Sequence, residues 1–550
     1  MSVKDIDYIF ENIVGGGGKW QWYIMLLTYP IMFASAPPCV LHLFTAYLPD
    51  YRCVVPNCDT NLTSITADFL EFSVPKEHSS TEMFTTAKYD PCHVYESKTD
   101  SCSNSGFDNS SKETCNAYVY DETIFPETLT TKLDLVCDNE SKRRLLSTLM
   151  MLGLMIGSLL GGRISDKLGR KKTSIIAILI IIPSVLVGGL TSNYAFYATL
   201  RLITCSALPL AWVSMHALIL EIFDKNHRQT VIIVKDFLWP ISQMILTLIA
   251  YYDRRWQNVH FWVGGLGLAA LPCLYMIPES PRWCANNGKK DESEQILLNV
   301  AKWNGKQLSD SDQEEIQSIL NQVDKVSKQS TEKNLNLIDM FKKSNLSKTL
   351  IISFSWITTC LGSYTLFLNS TRLHGDLFLN FLLSAIADFP GIIGLVITLK
   401  YFSRRLNLFV LQFVTGICCI ILAFVPQERT EVILTFFLIG KCSSGAAFTL
   451  VWVVTAELYP TNLRSQAVGF SSTVARIFSL LCPFVATLAS YWKPLPMLLL
   501  GVPGLIAGVL AYFLPEMKGV ELPQTMKDTI RTEIEMEPMT NAKKDKETTL

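Results

Sequence analysis

The chain has 550 residues, 49% of them hydrophobic and 18% charged, with a formal net charge of -1. That balance excludes the basic surface that nucleic-acid binding requires. The apolar residues are segregated into twelve runs of about twenty, the length that crosses a ~30 Å hydrocarbon core. They fall at 21–46, 145–165, 173–193, 197–220, 230–252, 258–277, 349–370, 377–399, 406–425, 431–456, 466–490 and 494–514. We number these spans 1 to 12.

The N-terminal stretch "MSVKDIDYIFENIVGGGGKWQW" is acidic and amphipathic. It lacks the basic start, apolar core and small-residue cleavage site of a signal peptide, and reads as a retained cytoplasmic segment. Gly15–Gly18 followed by Lys19 imitates a phosphate loop. Trp20 stands where that motif needs Ser or Thr, so the glycines read as a flexible link into span 1.

Lys and Arg crowd the loop after span 2 (Arg163, Lys167, Arg170, Lys171, Lys172) and the stretch 279–348. The positive-inside bias places both, and both termini, in the cytoplasm. Segment 47–144 then lies outside. It holds Cys53, Cys58, Cys92, Cys102, Cys115 and Cys137, an even set that reads as disulfides in an oxidising compartment. A zinc site is disfavoured because the loop has no Cys-x-x-Cys pair. The same loop carries glycan acceptor triplets at Asn61, Asn109 and Asn139.

Span 4 ends in Glu221 with Arg228 seven residues on, and span 10 ends in Glu457 with Arg464 seven on, an offset of 236. Near that offset "GRISDKLGRKK" after span 2 matches "TLKYFSRRLN" after span 8, and Arg201 opening span 4 matches Lys441 opening span 10. Three matches in register predict two six-span halves related by duplication. One Glu or Arg at a membrane boundary is an ordinary snorkelling anchor; recurring together, they predict interhelical salt bridges. The loop pattern Gly162-x-x-x-Asp166-Lys167-x-Gly169-Arg170-Lys171 resembles the signature of the major facilitator superfamily. "YVYDETIFPETLTTKLDLVC", "PESPRW" (278–283), "AKWNGK" (301–306) and "AELYPTNLR" (456–464) resemble its organic cation, anion and zwitterion transporter family. The likeness runs from about residue 5 to 525. The chain departs from the pattern at Lys400 and Ser403, usually Asp and Gly, and at Cys205 and Pro209, where glycines are usual.

Arg476 is the one charge in the run 466–492 and lies near mid-bilayer, where an ionised side chain costs about 2.5–3.5 kcal/mol. Such a residue faces a partner or a wetted cavity. The structural reading is an ion pair with Asp388 of span 8 or Asp236 of span 5. The functional reading is a counter-charge for an anionic group, since the guanidinium fork matches a carboxylate bidentately. The resemblance favours the second, because anion and zwitterion carriers of the family have an arginine in this Ser/Thr-x-Ala-Arg context. It likewise implies that Asp388 is the acidic residue common before the span 8 proline, and that Trp239, Gln243, Tyr364, Phe448 and Trp452 line the cavity. Lys235 and Asp236, adjacent in span 5, point about 100° apart on a helix and are not simply a pair with each other, so both are substrate-site candidates of which one lines the cavity and the other packs. The family is usually uncharged there.

The expected fold is an all-α membrane protein, twelve helices in two pseudo-symmetric six-helix halves of the major facilitator type, with a large outer loop after helix 1. Its parts are a cytoplasmic start (1–20), a first half (21–278, including the disulfide-rich, glycosylated 47–144), a cytoplasmic loop (279–348), a second half (349–516) and a disordered cytoplasmic tail (517–550). No nucleophile-base motif, metal-ligand spacing or cofactor signature occurs, so an enzyme is not expected and no cofactor or metal is expected. The resemblance implies a plasma-membrane carrier of organic anions or carnitine-like zwitterions. Asp166, Arg170, Glu221, Arg228, Glu457 and Arg464 would clamp its cytoplasmic side in alternating access, and the partners are a small organic ion and the lipid bilayer. The alternatives are a cation carrier using Asp388 or Asp236, and a receptor or sensor on the same scaffold. Thr548, Thr549 and Leu550 form an ending that PDZ domains capture by strand addition.

Overall fold

The computed structural model describes residues 6–516 apart from 56–57, 60–64, 66, 77–88, 99–101, 330–339, 343–344, 371–372, 374, 427, 460, 486–487 and 490. Asn61 and the Thr548–Leu550 ending therefore lie outside the described residues, as does the Arg464 side chain.

Among the described residues eleven helices are long and apolar enough to cross a membrane: Lys19–Thr45, Cys137–Leu168, Arg170–Leu190, Tyr194–Ile222, Thr230–Tyr252, Trp256–Met276, Leu346–Asn369, Leu377–Tyr401, Arg404–Phe424, Thr430–Leu458 and Gln466–Val485. The shorter apolar helix Leu495–Ala511 completes the twelve. Span 4 packs on spans 1, 2 and 3, and spans 9 and 10 pack on spans 12 and 7, so each half closes on itself. The halves meet where span 2 lies against span 11 and span 5 against span 8.

Local sequence explains how these helices are shaped. Proline has no N–H for the carbonyl four residues back. Span 5 is interrupted at Phe237 ahead of Pro240, and span 8 at Ala387 ahead of Pro390. The two interruptions face each other across the halves, where Phe237 stacks on Phe389 at 5.7 Å. Span 2 reaches span 4 at backbone distance because it has glycines there: a Cβ on Gly157 would sit 2.2 Å from the Ser206 carbonyl oxygen. Thus Cys205 and Pro209 are accommodated by small residues on the facing helix.

The segment after span 1 forms a small domain of its own. Tyr51–Cys53 pairs antiparallel with Tyr118–Tyr120, and His93–Ser97 with Phe107–Thr114. Three disulfides, Cys53–Cys115, Cys58–Cys102 and Cys92–Cys137, surround a core of Val55, Leu70, Val74, Val94 and Phe107. A core this small needs such covalent ties. Asn109 is exposed on its strand, whereas the Asn139 amide donates to the Asp134 carbonyl oxygen at the start of span 2 (3.3 Å). We call this end of the bundle the disulfide face.

The opposite face is covered by helices Pro281–Asn286, Lys290–Trp303 and Asp310–Gln329 and by the N-terminal segment, whose Ile9, Phe10, Ile13 and Val14 are buried with Leu297, Val300 and Ala301. The glycine link is a packed turn, contrary to the flexible connection expected from its composition. Gly15 has φ +82°, and a Cβ on Gly16, Gly17 or Gly18 would fall within 2.4 Å of Asp224, His227 or Asn304. The Asn304 amide donates to the carbonyl oxygens of Val14 and Gly15 and accepts from the Trp20 N–H. Glycine is used here for close approach, not mobility.

Candidate functional site

Arg476 lies on span 11 and is 9% exposed. Its guanidinium faces the Tyr364 hydroxyl and Cys360 of span 7 and acts on Cys39 of span 1, so it sits between the halves. Its Nε has no hydrogen-bond partner, and among the described residues no carboxylate pairs with it. Both structural partners considered from the sequence are engaged elsewhere. Asp388 accepts from Lys441 Nζ at 2.6 Å, with both side chains buried. Asp236 lies 3.5 Å from Lys235 and accepts from the Thr449 hydroxyl of span 10.

Gln243 is another buried polar group without a partner. It is 1% exposed, and neither its amide nitrogen nor its oxygen has a partner. Trp239, one turn before it, packs edge-on to Trp212 and against Phe367 of the second half. Tyr364 and Phe448 are in edge contact at 6.3 Å. Trp452 is set back on Trp356, whose indole N–H donates to Thr455. Burial of an unpaired amide and of a guanidinium Nε without a partner is costly unless something else satisfies them.

The symmetric charges of the two halves are engaged differently. Arg201 donates to the carbonyl oxygens of Pro38 and Cys39, both at 2.6 Å, and contacts His42. Pro37 and Pro38 interrupt the hydrogen-bond ladder of span 1. Lys441, its counterpart, pairs with Asp388 instead.

At the face opposite the disulfides, Arg170 bridges Glu221 at 2.7 Å and Asp166 at 2.9 Å. Its Nη1 donates to the Ser165 carbonyl oxygen, and its backbone N–H donates to Glu279. Burial pushes the Glu279 carboxyl above its usual range against the pull of the Ser280, Lys171 and Arg170 N–H groups. Gly169, at φ +101°, allows this approach, because a Cβ there would collide with the Glu279 carboxylate. In the second half Arg404 takes the Arg170 part: it meets Glu457 at 3.2 Å, donates to the Leu399 carbonyl oxygen, and its N–H donates to Glu516. Ser403 replaces Gly169 and serves as a helix cap, its hydroxyl accepting from the Leu406 N–H.

Arg228 does not join Glu221. It pairs with Asp7 of the N-terminal segment at 2.7 Å, and Arg282 pairs with the same carboxylate while donating to the Glu221 carbonyl oxygen. None of these pairs joins the first half to the second. Sequence reading missed Arg404, Glu516, Glu279, Asp7, Arg282 and His216, whose Nδ1 contacts Lys235. The available signal was the repeated Pro-Glu after spans 6 and 12, Pro278-Glu279 and Pro515-Glu516.

Two repeats of helices around buried, unpaired polar groups at their junction define a membrane transporter rather than an enzyme. The family model described as sugar (and other) transporter matches residues 80–528, and the chain belongs to that family. It is 28% identical to the organic cation transporter protein of Drosophila melanogaster over 94% of both chains. It is 26% identical to the human organic cation/carnitine transporter 2 over 95% of this chain and 94% of that one. The fold matches the xylose transporter XylE from E. coli in a partially occluded inward-open conformation, with TM-score 0.60 and 15% identity over 92% of this chain and 100% of that one.

Proposed function

We propose that the chain carries organic ions across the plasma membrane, specifically organic anions or zwitterions, with Arg476 as the counter-charge for a carboxylate or similar group. The observation that carries this reading is the buried Arg476 guanidinium without a carboxylate partner among the described residues. A guanidinium at that depth is stabilised by an anion arriving in transit, and its fork gives that anion two parallel donors. Tyr364 and Gln243 supply further hydrogen bonds, and Trp239 and Phe448 the apolar wall. The cation reading has less to work with, since Asp388 is paired with Lys441 and Asp236 is engaged by Lys235 and Thr449.

The disulfide face is then extracellular and the face bearing Arg170 and Arg404 cytoplasmic, in keeping with the loop charges. Transport proceeds by rocking of the halves about the Arg476 level, with the Arg170 and Arg404 clusters holding each half's helix ends as units. Uptake of anionic, zwitterionic and cationic probes into oocytes tests the reading. Arg476→Asp should abolish uptake of the carboxylate probes; carboxylate uptake that survives the substitution rejects it.

A further inference from the structure

Span 3 packs along span 6, and both present apolar side chains outward: Ile176 and Leu179 on span 3, Leu268 and Met276 on span 6. At the end opposite the disulfides these faces finish in positive charge. Lys172 is exposed and shares a helix face with Ile176 and Leu179, about one and two turns further on. Its neighbour Lys171 donates from Nζ to the Tyr275 carbonyl oxygen at 3.0 Å, with the ammonium 6.0 Å from the centre of the Tyr275 ring. That ring belongs to a residue 86% exposed. Arg163 and Lys167, about a turn apart at the end of span 2, are exposed as well.

These cations are not neutralised within the protein. Among the described residues no carboxylate pairs with Arg163, Lys167, Lys171 or Lys172, and the acidic groups closest to them are engaged elsewhere. Asp166 is held by Arg170. The carboxylates that act on Lys171 are Glu279 and Glu292. Glu279 accepts from the N–H groups of Arg170, Lys171 and Ser280, and Glu292 pairs with Lys289 at 3.1 Å.

The second half supplies a contrast. Tyr512 precedes Glu516 by the same step as Tyr275 precedes Glu279, and Arg405 follows Arg404 as Lys171 follows Arg170. Arg405 again lies over the ring, 5.3 Å from its centre, but Glu516 pairs with it at 3.6 Å. Ile397, Tyr401 and Leu406 stand where the first half has Arg163, Lys167 and Lys172, with Lys400 in the place of Asp166. A cation on an aromatic ring is common to both halves; the cluster of uncompensated charge belongs to the first.

We propose that Lys171, Lys172 and Tyr275 bind the headgroup of an anionic phospholipid whose acyl chains lie along the exposed faces of spans 3 and 6. An ammonium has three donors, so Lys171 keeps two beyond the one given to Tyr275, and the phosphate and carboxylate oxygens of the headgroup accept them. A tyrosine at a membrane boundary sits at headgroup depth, and Arg163 and Lys167 add to the local field. The lipid is anionic because the cluster has no counter-charge of its own. A soluble phosphate would meet the same lysines but leave the apolar faces uncovered. The proposal takes only the orientation from the functional reading, which turns this face to the leaflet rich in anionic lipid.

The test is native mass spectrometry of the full-length protein in detergent, titrated with phosphatidylserine, phosphatidylcholine or the soluble headgroup glycerophosphoserine. Wild type should bind phosphatidylserine about fivefold or more tighter than phosphatidylcholine, and glycerophosphoserine more weakly than either. The double change Lys171→Gln with Lys172→Gln should remove the preference for phosphatidylserine. Lys172→Gln alone, at an exposed position, should lower it about twofold or more and covers the case in which the double variant does not fold. Arg405→Gln should leave it unchanged. A wild type without the preference, a preference that survives the lysine substitutions, or an equal loss in Arg405→Gln overturns the proposal. Glycerophosphoserine bound as tightly as the lipid would also overturn it, assigning the lysines to a soluble anion. Carboxylate uptake plays no part in this readout, so failure of the lipid site and failure of the carrier reading are told apart.

Discussion

Arg404 occupies in the second half the place that Arg170 occupies in the first: each joins the glutamate ending the fourth span of its half, donates to a carbonyl oxygen five residues back, and offers its backbone N–H to the glutamate after the last span. The matched geometry makes the two clusters comparable experiments on one protein. Arg170 adds a second carboxylate, Asp166, which Arg404 lacks because Lys400 stands there. Arg170→Ala should therefore slow uptake more than Arg404→Ala, by a further factor of a few. Initial uptake rates normalised to surface expression check this, and equal losses would show that Asp166 adds nothing.

Lys441 and Asp388 are buried together, so the pair is sensitive to removal of one partner only. Lys441→Met leaves an uncompensated carboxylate and should destabilise the protein by about 3–5 kcal/mol. The double change Lys441→Met with Asp388→Asn should recover most of that loss. Thermal melting of the detergent-solubilised protein reads both. A double variant no more stable than the single one would mean that the two groups do not depend on each other.

Much of the fold was legible because hydrophobic length and loop charge are local properties, readable one segment at a time. The twelve spans, the even set of loop cysteines and the Glu221/Glu457 repeat needed no tertiary information. The pairing of those charges did. Arg228 sits seven residues after Glu221 yet goes to Asp7, more than two hundred residues away in sequence, because the N-terminal segment folds back under the first half. The Gly15–Gly18 turn was misread for the same reason: composition gives the backbone its freedom, but only the packing of Asp224, His227 and Asn304 shows that the freedom is used to fit. Arg476 and Asp388 stood out as isolated charges, whereas the engagement of Asp388 by Lys441 was hidden by the distance between spans 8 and 10.

Asp108 on the second strand pair accepts from Lys98 and from Ser110, and these bonds hold its carboxyl well below the usual carboxylate range. A depressed folded value means that the stabilisation is present above the ordinary range near pH 4 and is lost as pH falls through the lower folded value. Protection of 93–97 and 107–114 should therefore decline on acidification below pH 4, and Asp108→Asn should remove that dependence. Exchange measured from pH 2.5 to 5 decides it; a variant with the wild-type profile would assign the effect elsewhere.

Phe378 of span 8 touches three parts of the first half at once: Phe44 of span 1 at 6.0 Å, Tyr251 of span 5 at 5.4 Å and Phe125 of the disulfide domain at 5.6 Å. No charge pair crosses between the halves at this end among the described residues, so their closure rests on apolar and ring contact. Arg254 adds a cation over the Phe378 ring at 5.8 Å. Truncating such a residue removes burial on both sides of the junction but little within either half, since each half keeps its own core. Phe378→Ala should thus leave melting of the halves nearly unchanged while shifting the protein toward opening at the disulfide face. The shift should correspond to about 1–3 kcal/mol, the scale of one buried aromatic partly lost. Exchange at 40–47 and 377–386 should rise in the variant and 206–215 should not. A rise spread evenly over all three segments would mean that Phe378 stabilises the fold as a whole rather than the closure of one end.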